Sequence, residues 1–237
     1  MADERPEEAF NGEGFDPVRI GTRMEAVLMQ ADAARVRLRN LHPTAGPDDP
    51  RRAVAAQFVS VIAPALLAMI HFFENVTEEE WWEKRGLQTS RQKIYSHDYV
   101  VFMNLWCFRE PFNQFEAGLR AIVREFDPTA CKAGTDDFKN IYAWLFKRLK
   151  ASGWAHDRDD AVSFLDVYRT ERNLMHNNYM HISPSQDDMV LTWRGRTFTF
   201  RHGQAPDWAD WEFHLDFFSE LVRLNEAVMS APLLRRS

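Results

Sequence analysis

The chain has 237 residues and a mass of 27.7 kDa, with 45% apolar and 27% charged residues. That size means one large domain or two small ones, with enough chain to bury a core without disulfide or metal staples. A net charge of −6 argues against general coating of duplex nucleic acid, which needs a basic surface. Two cysteines, Cys107 and Cys131, cannot build a disulfide framework or a four-cysteine zinc site, and as reduced thiols they suit a cytoplasmic protein.

Residues 1–15 are acidic and polar, lack a signal-peptide pattern, and read as a disordered tail. A first helix is expected from Asp16 to about Leu41, with Ile20, Met24, Val27, Leu28, Ala31, Ala34 and Leu38 at helical spacing. A Pro- and Asp-rich loop follows, then a second helix from about Arg51. Its run Ala53–Phe73 is long enough to span a bilayer. Gln57, Ser60, Pro64 and His71 interrupt it, so it reads as a buried core helix kinked at Pro64, and no membrane partner is expected.

Thr77 with Glu80 reads as a capping box opening a short helix through Trp81 and Trp82, closed by Gly86. The two tryptophans are adjacent and cannot both face inward, so one should pack on another loop or a partner. Ser96–Phe126 is helical and aromatic, with a break or kink expected at Pro111 and Cys107 as a core thiol. After a loop to Gly134, Thr135 should cap a helix that Ser152-Gly153 ends. Asp159 or Asp160 should cap the next, reaching about Asn178. Residues 189–193 and 196–200 then change to a period of two around Arg194-Gly195, the pattern of a β-hairpin. Pro206-Asp207 should open a last helix with Trp208 and Trp211 on its buried face. The fold class expected is all-α, a helical bundle with a small appended hairpin at about 189–201. Residues 16–92 would form N-terminal helices packing on a core of residues 93–237.

The segment Asp159–His181 carries the chemistry. On a wheel of about 100° per residue, Phe164, Val167, Tyr168, Leu174 and Met175 form an apolar stripe. Asp166, Thr170, Asn173 and Asn177 fall on a solvent face. Arg169, Arg172 and His176 share the arc between them. Arg172 and His176 are one turn apart, so the guanidinium disfavours protonation of the imidazole. A neutral imidazole beside a fixed cation is a base beside an anion clamp. Those groups suit metal-free cleavage of RNA by its own 2′-hydroxyl. The same residues also suit the C-terminal turn of any helix, where cations meet the dipole.

The run Arg172-Asn173-Leu174-Met175-His176-Asn177-Asn178 resembles the signature of the HEPN superfamily (higher eukaryotes and prokaryotes nucleotide-binding domains). That motif is an Arg, commonly followed by a polar residue, four to six further residues, and a His. Here three residues separate Arg172 from His176, and six separate Arg169 from it. The resemblance covers about residues 93–230. It implies an all-α bundle and a metal-independent endoribonuclease of a toxin or phage-defence system, acting as a homodimer. Arg172 and His176 would be catalytic, and Arg169, Asn173 and Asn177 would bind substrate. RNA or a nucleotide would be the ligand, an antitoxin or defence-system protein a possible partner, and no cofactor or metal would be needed. The alternative is a non-catalytic module of the same kind that binds a nucleotide or a protein. Residues 139–201 hold ten bases against seven acids, a positive island in an acidic chain that suits a short single-stranded ligand.

Overall fold

The computed structural model describes residues 16–76, 78–174 and 179–235. The N-terminal tail, Thr77 and Met175–Asn178 lie outside them. Helix α1 spans Pro17–Leu41; the Asp16 carboxylate accepts from the Val18 and Arg19 amides, and Pro17 fills the first turn, where a missing N–H costs nothing. Helix α2 spans Pro50–His71 and begins the same way, with Asp49 accepting from the Arg51 amide. It runs through Pro64 and continues as a π-helical segment, Phe72–Val76. The stretch Pro50–Val76 is long and apolar enough to cross a membrane, and it also supplies Val54, Phe58, Val61, Ile62, Ala65 and Met69 to the core.

Helix α3 is five residues long, Glu79–Glu83. Its N-cap is Glu78, whose side chain makes no capping bond, while Thr77, the expected capping residue, lies outside the described residues. Trp82 is buried and donates its indole N–H to the Val76 carbonyl at 2.7 Å, while Trp81 stays half-buried under the Arg85 guanidinium. A 3-10 turn, Thr89–Arg91, leads into α4, Gln92–Phe126, which starts four residues earlier than the sequence suggested.

Pro111 does not break α4. Proline removes the donor for the Cys107 carbonyl and crowds that turn. The next carbonyl along, Phe108 O, instead takes the Tyr168 hydroxyl at 2.7 Å, and Phe108, Phe112 and Phe115 are fully buried around the site. Burial thus holds α4 together where local propensity would end it. Cys107 is sealed in the same layer, and burial pushes its thiol up to about 12.

A left-handed turn, α5 (Cys131–Gly134), precedes α6, Phe138–Ala151. Asp137, not Thr135, caps α6 by accepting from the Lys139 amide. Helix α7 spans Arg158–Leu174, and Asp157, not Asp159 or Asp160, accepts from its first amides. Strands β1 (Met189–Trp193) and β2 (Arg196–Phe200) pair antiparallel, with Met189 opposite Phe200 and Trp193 opposite Arg196. Arg194 and Gly195 both have positive φ, 48° and 76°, the two-residue turn that matches strand twist. Arg194 is clipped to Asp160 on α7 and to Glu220, and Trp193, Phe198 and Phe200 point into the core. Helix α8 is Trp211–Met229, capped by Asp210. The earlier start at Pro206-Asp207 is not realised; Trp208 sits in the preceding turn and donates to the Thr199 carbonyl.

Helices α1, α2, α4 and α8 pack together, with α6, α7 and the hairpin closing the other side of one continuous core. Helix α1 runs parallel to α8 along a ladder of polar rungs. Arg19 and Arg23 meet Glu212, Gln30 meets Ser219, Arg37 meets Glu226, and His42 meets the Met229 carbonyl. Contacts spanning about 190 residues of sequence therefore join the first helix to the last.

The α2–α4 contact is close enough to require glycine at Gly118, where a Cβ would run into a Val54 methyl. We expect Gly118→Ala to cost about 1–3 kcal/mol in urea unfolding, because Val54 is short and stiff. Gly21, on α1, has open space around its Cα. Gly21→Ala should instead stabilise by about 0.5–1 kcal/mol through helix propensity.

Candidate functional site

The last turns of α7 bring three different environments to consecutive positions. Tyr168 is fully buried, its ring 4.3 Å from that of Phe108 and 4.8 Å from that of Phe112. Its hydroxyl bond to α4 fixes α7 lengthwise. One turn on, Glu171 is also fully buried. Its Oε1 lies 2.6 Å from His214 Nε2 on α8, and His214 Nδ1 lies 2.7 Å from Asn104 Oδ1 on α4. Three helices therefore share one buried polar chain.

The protons in that chain follow from the acceptors. Asn104 Oδ1 can only accept, so His214 Nδ1 carries a hydrogen. Between Nε2 and Oε1 there is then one more proton, and the pair has no net charge whichever atom holds it. Burial pushes the Glu171 carboxyl above its ordinary value, with His214 opposing.

Arg172, the next residue, turns outward beside α4. Its Nε and Nη2 donate to Asn113 Oδ1 at 3.3 and 3.1 Å, and its Nη1 donates to Asn173 Oδ1 at 3.3 Å. Asn113 and Gln114 in turn donate to Glu110. Among the described residues no carboxylate lies within 4 Å of Arg172. Neutral amide oxygens orient the guanidinium without cancelling its charge, and among the described residues two of its five N–H donors have no acceptor. That is the arrangement of an anion seat.

The other residues singled out from sequence divide. Asn173 is half-buried and touches Arg172, as expected for a residue of the same site. Arg169 does not join Arg172. It faces α6, where its charge acts on the Tyr142 phenol, which donates to Asp166. Burial and Asp166 hold the Tyr142 phenol well above its usual range. Asp166, placed on a solvent face by the wheel, packs toward α6 as well, and Thr170, from the same face, is buried and donates to the Asp166 carbonyl within α7. His176 and Asn177 lie outside the described residues.

Chain tracing resumes at Tyr179, whose amide donates to the Leu174 carbonyl at 2.9 Å. Its φ of 65° turns the chain away from the helix axis. Burial, followed by Glu171, pushes its phenol up, while Arg109 on α4 opposes. Arg109 is exposed and meets no acid among the described residues, so a second uncompensated cation stands near the helix end. Sequence reasoning missed Glu171, His214, Asn104, Asn113 and Arg109. The available signal was polar residues at positions otherwise apolar: Asn104 and His214 each sit within an aromatic run. Among the described residues no group of three His, Cys, Asp or Glu could hold a metal.

Comparison with protein-family models, with curated proteins and with solved structures finds no match.

The raised Glu171 carboxyl sets a pH dependence. A carboxyl raised above 4.5 in the folded state adds stability that is complete at low pH. That stability is lost as pH rises from 4.5 through the raised value. Glu171→Gln cannot ionise, so wild type should lose stability relative to it across that window in urea titrations. A constant difference would mean that folding does not raise the Glu171 carboxyl. Glu171→Ala, which strands the imidazole, should cost about 3 kcal/mol.

Proposed function

We propose that the chain is a HEPN-like, metal-independent endoribonuclease, and that the end of α7 binds the phosphate to be cleaved. The observation that carries this reading is Arg172: three of its N–H groups are held by the neutral amides of Asn113 and Asn173, and among the described residues no carboxylate competes for its charge. An arginine so held is poised to bind a phosphate oxygen and to offset charge that builds up on the phosphorane. His176, four residues along the chain, supplies the imidazole.

The reaction is a transesterification within the RNA strand. The imidazole takes the proton of the 2′-hydroxyl, and the 2′-oxygen forms a bond to phosphorus. The bond from phosphorus to the 5′-oxygen breaks, and that oxygen receives a proton from an imidazolium. The products are a 2′,3′-cyclic phosphate and a 5′-hydroxyl. One chain supplies one His176, so a homodimer would bring the second imidazole. Asn173 holds the guanidinium plane, and Asn177 and Arg109 would contact the strand. A toxin or phage-defence role, with an antitoxin or defence partner in the cytoplasm, is the setting this chemistry fits.

The test is cleavage of single-stranded RNA by purified protein in EDTA, with end-group analysis. Wild type should produce cyclic phosphate ends. Arg172→Ala should slow cleavage by about 10²-fold or more, the cost of losing one group that stabilises the oxyanion. His176→Ala should abolish it. Undiminished cleavage by His176→Ala would overturn the mechanism. Thermal stabilisation by nucleotides without cleavage would make the same seat that of a binding module.

A further inference from the structure

The end of the molecule built from the last turns of α2, the π-helical segment, α3 and the start of α4 carries an apolar surface that the bundle does not use. Leu67 on α2 is 68% exposed, and Ile94 and Phe102 on α4 are 54% and 58% exposed. Two cavities flank the end of α2. One, of about 440 Å³, is walled by Phe72, Trp81, Trp82, Tyr95 and Tyr99. The other, of about 430 Å³, is walled by Ile20, Leu66, Met69, Ile70 and Phe73. Exposed apolar area of this kind marks a surface that another molecule covers.

The rim decides the kind of occupant. Glu25 and Glu74 line the second cavity, and Glu78, Glu79 and Glu83 stand on and beside the short helix that bears Trp81 and Trp82. All five are exposed and none is in an ion pair among the described residues. Three nearby bases are already engaged: Lys84 pairs with Glu80, Arg85 lies 4.0 Å over the Trp81 ring, and Arg91 donates to the Tyr95 hydroxyl. An anionic bilayer would be repelled by this rim. A second copy docked by two-fold symmetry would bring the same glutamates face to face. The chain's own residues 1–15 carry five acids and a single base, Arg5.

We infer that this end of the molecule is a docking site for a basic, amphipathic segment of a partner protein, its apolar side chains entering the two cavities flanking the end of α2 and its Lys or Arg residues meeting Glu25, Glu74, Glu78, Glu79 and Glu83. Helix-in-groove recognition has this form: apolar anchors supply affinity, and rim charges select the partner and speed its arrival. The site is independent of Arg172 and of the ribonuclease reading.

The experiment uses the full chain and a fluorescein-labelled synthetic amphipathic peptide of Leu, Trp and Lys, beside its Glu-for-Lys counterpart. The basic peptide should bind at least about tenfold tighter than the acidic one, and its binding should weaken as salt rises. Leu67→Asp, and separately the pair Glu74→Lys and Glu83→Lys, should each weaken it by about tenfold or more, with unchanged circular dichroism. All three positions are exposed, so the fold should tolerate them. Equal binding of both peptides, or no loss on charge reversal, would overturn the inference. So would co-sedimentation with anionic phosphatidylserine vesicles, or a dimer in sedimentation that Leu67→Asp dissolves.

Discussion

The buried chain Glu171–His214–Asn104 is the constraint on which the candidate site depends. It ties α7, α8 and α4 at one point in a layer that is otherwise aromatic. A buried carboxyl has few ways to satisfy itself, so the rotation of α7 about its axis is set by the need to reach His214. Tyr168 fixes the same helix along its length through the Phe108 carbonyl. With both degrees of freedom taken, Arg172 has only one direction left, toward Asn113. The orientation of the exposed cation is therefore a consequence of the buried acid beside it.

The electrostatic character of the site comes from what surrounds Arg172. Most arginines described here meet a carboxylate, as Arg23, Arg37, Arg120 and Arg194 do. Those exposed pairs contribute little stability and neutralise the charges that form them. Arg172 is held instead by amide dipoles, which align it at little cost to its field. In a chain of net charge −6, a cation kept free in this way attracts anions only over a short range, which suits one phosphate rather than a length of duplex.

The N-terminal helices are part of the same body as the motif helix. The ladder from Arg19–Glu212 to His42–Met229 runs the length of α1, and the close approach at Gly118 seats α2 on α4. The consequence is a division of labour between two ends of the bundle. The end of α7 offers a positive seat, and the end of α2 offers an apolar surface with a negative rim. A partner at one need not exclude a ligand at the other.

Much of the fold was legible in the sequence. Helical spacing marked the buried faces of α1, α2, α4, α6 and α8, and the alternation around Arg194-Gly195 marked the hairpin and its turn. Helix starts at Asp16 and near Asp49 could be read because Pro follows the cap directly. The starts of α6 and α7 were displaced by two or three residues, because each has several capping side chains in a row and only packing selects among them, and α8 begins four residues after Asp207. Pro111 could not be read correctly from local propensity, since the burial of Phe108 and Phe112 and the bond from Tyr168 outweigh it. The candidate arginine was visible through its motif, but its surroundings were not. A helical wheel gives one angle per residue and knows nothing of neighbours. It therefore could not bring Asp166 against Tyr142, turn Arg169 toward the same phenol, or bury Glu171 against a histidine 43 residues away. By itself the sequence determined an all-α chain with one hairpin and an Arg-rich helix end, because periodicity and turn chemistry are local. Which of those arginines is held by neutral amides, and on what support, was decided only when α4, α7 and α8 closed around the buried Glu171–His214–Asn104 chain.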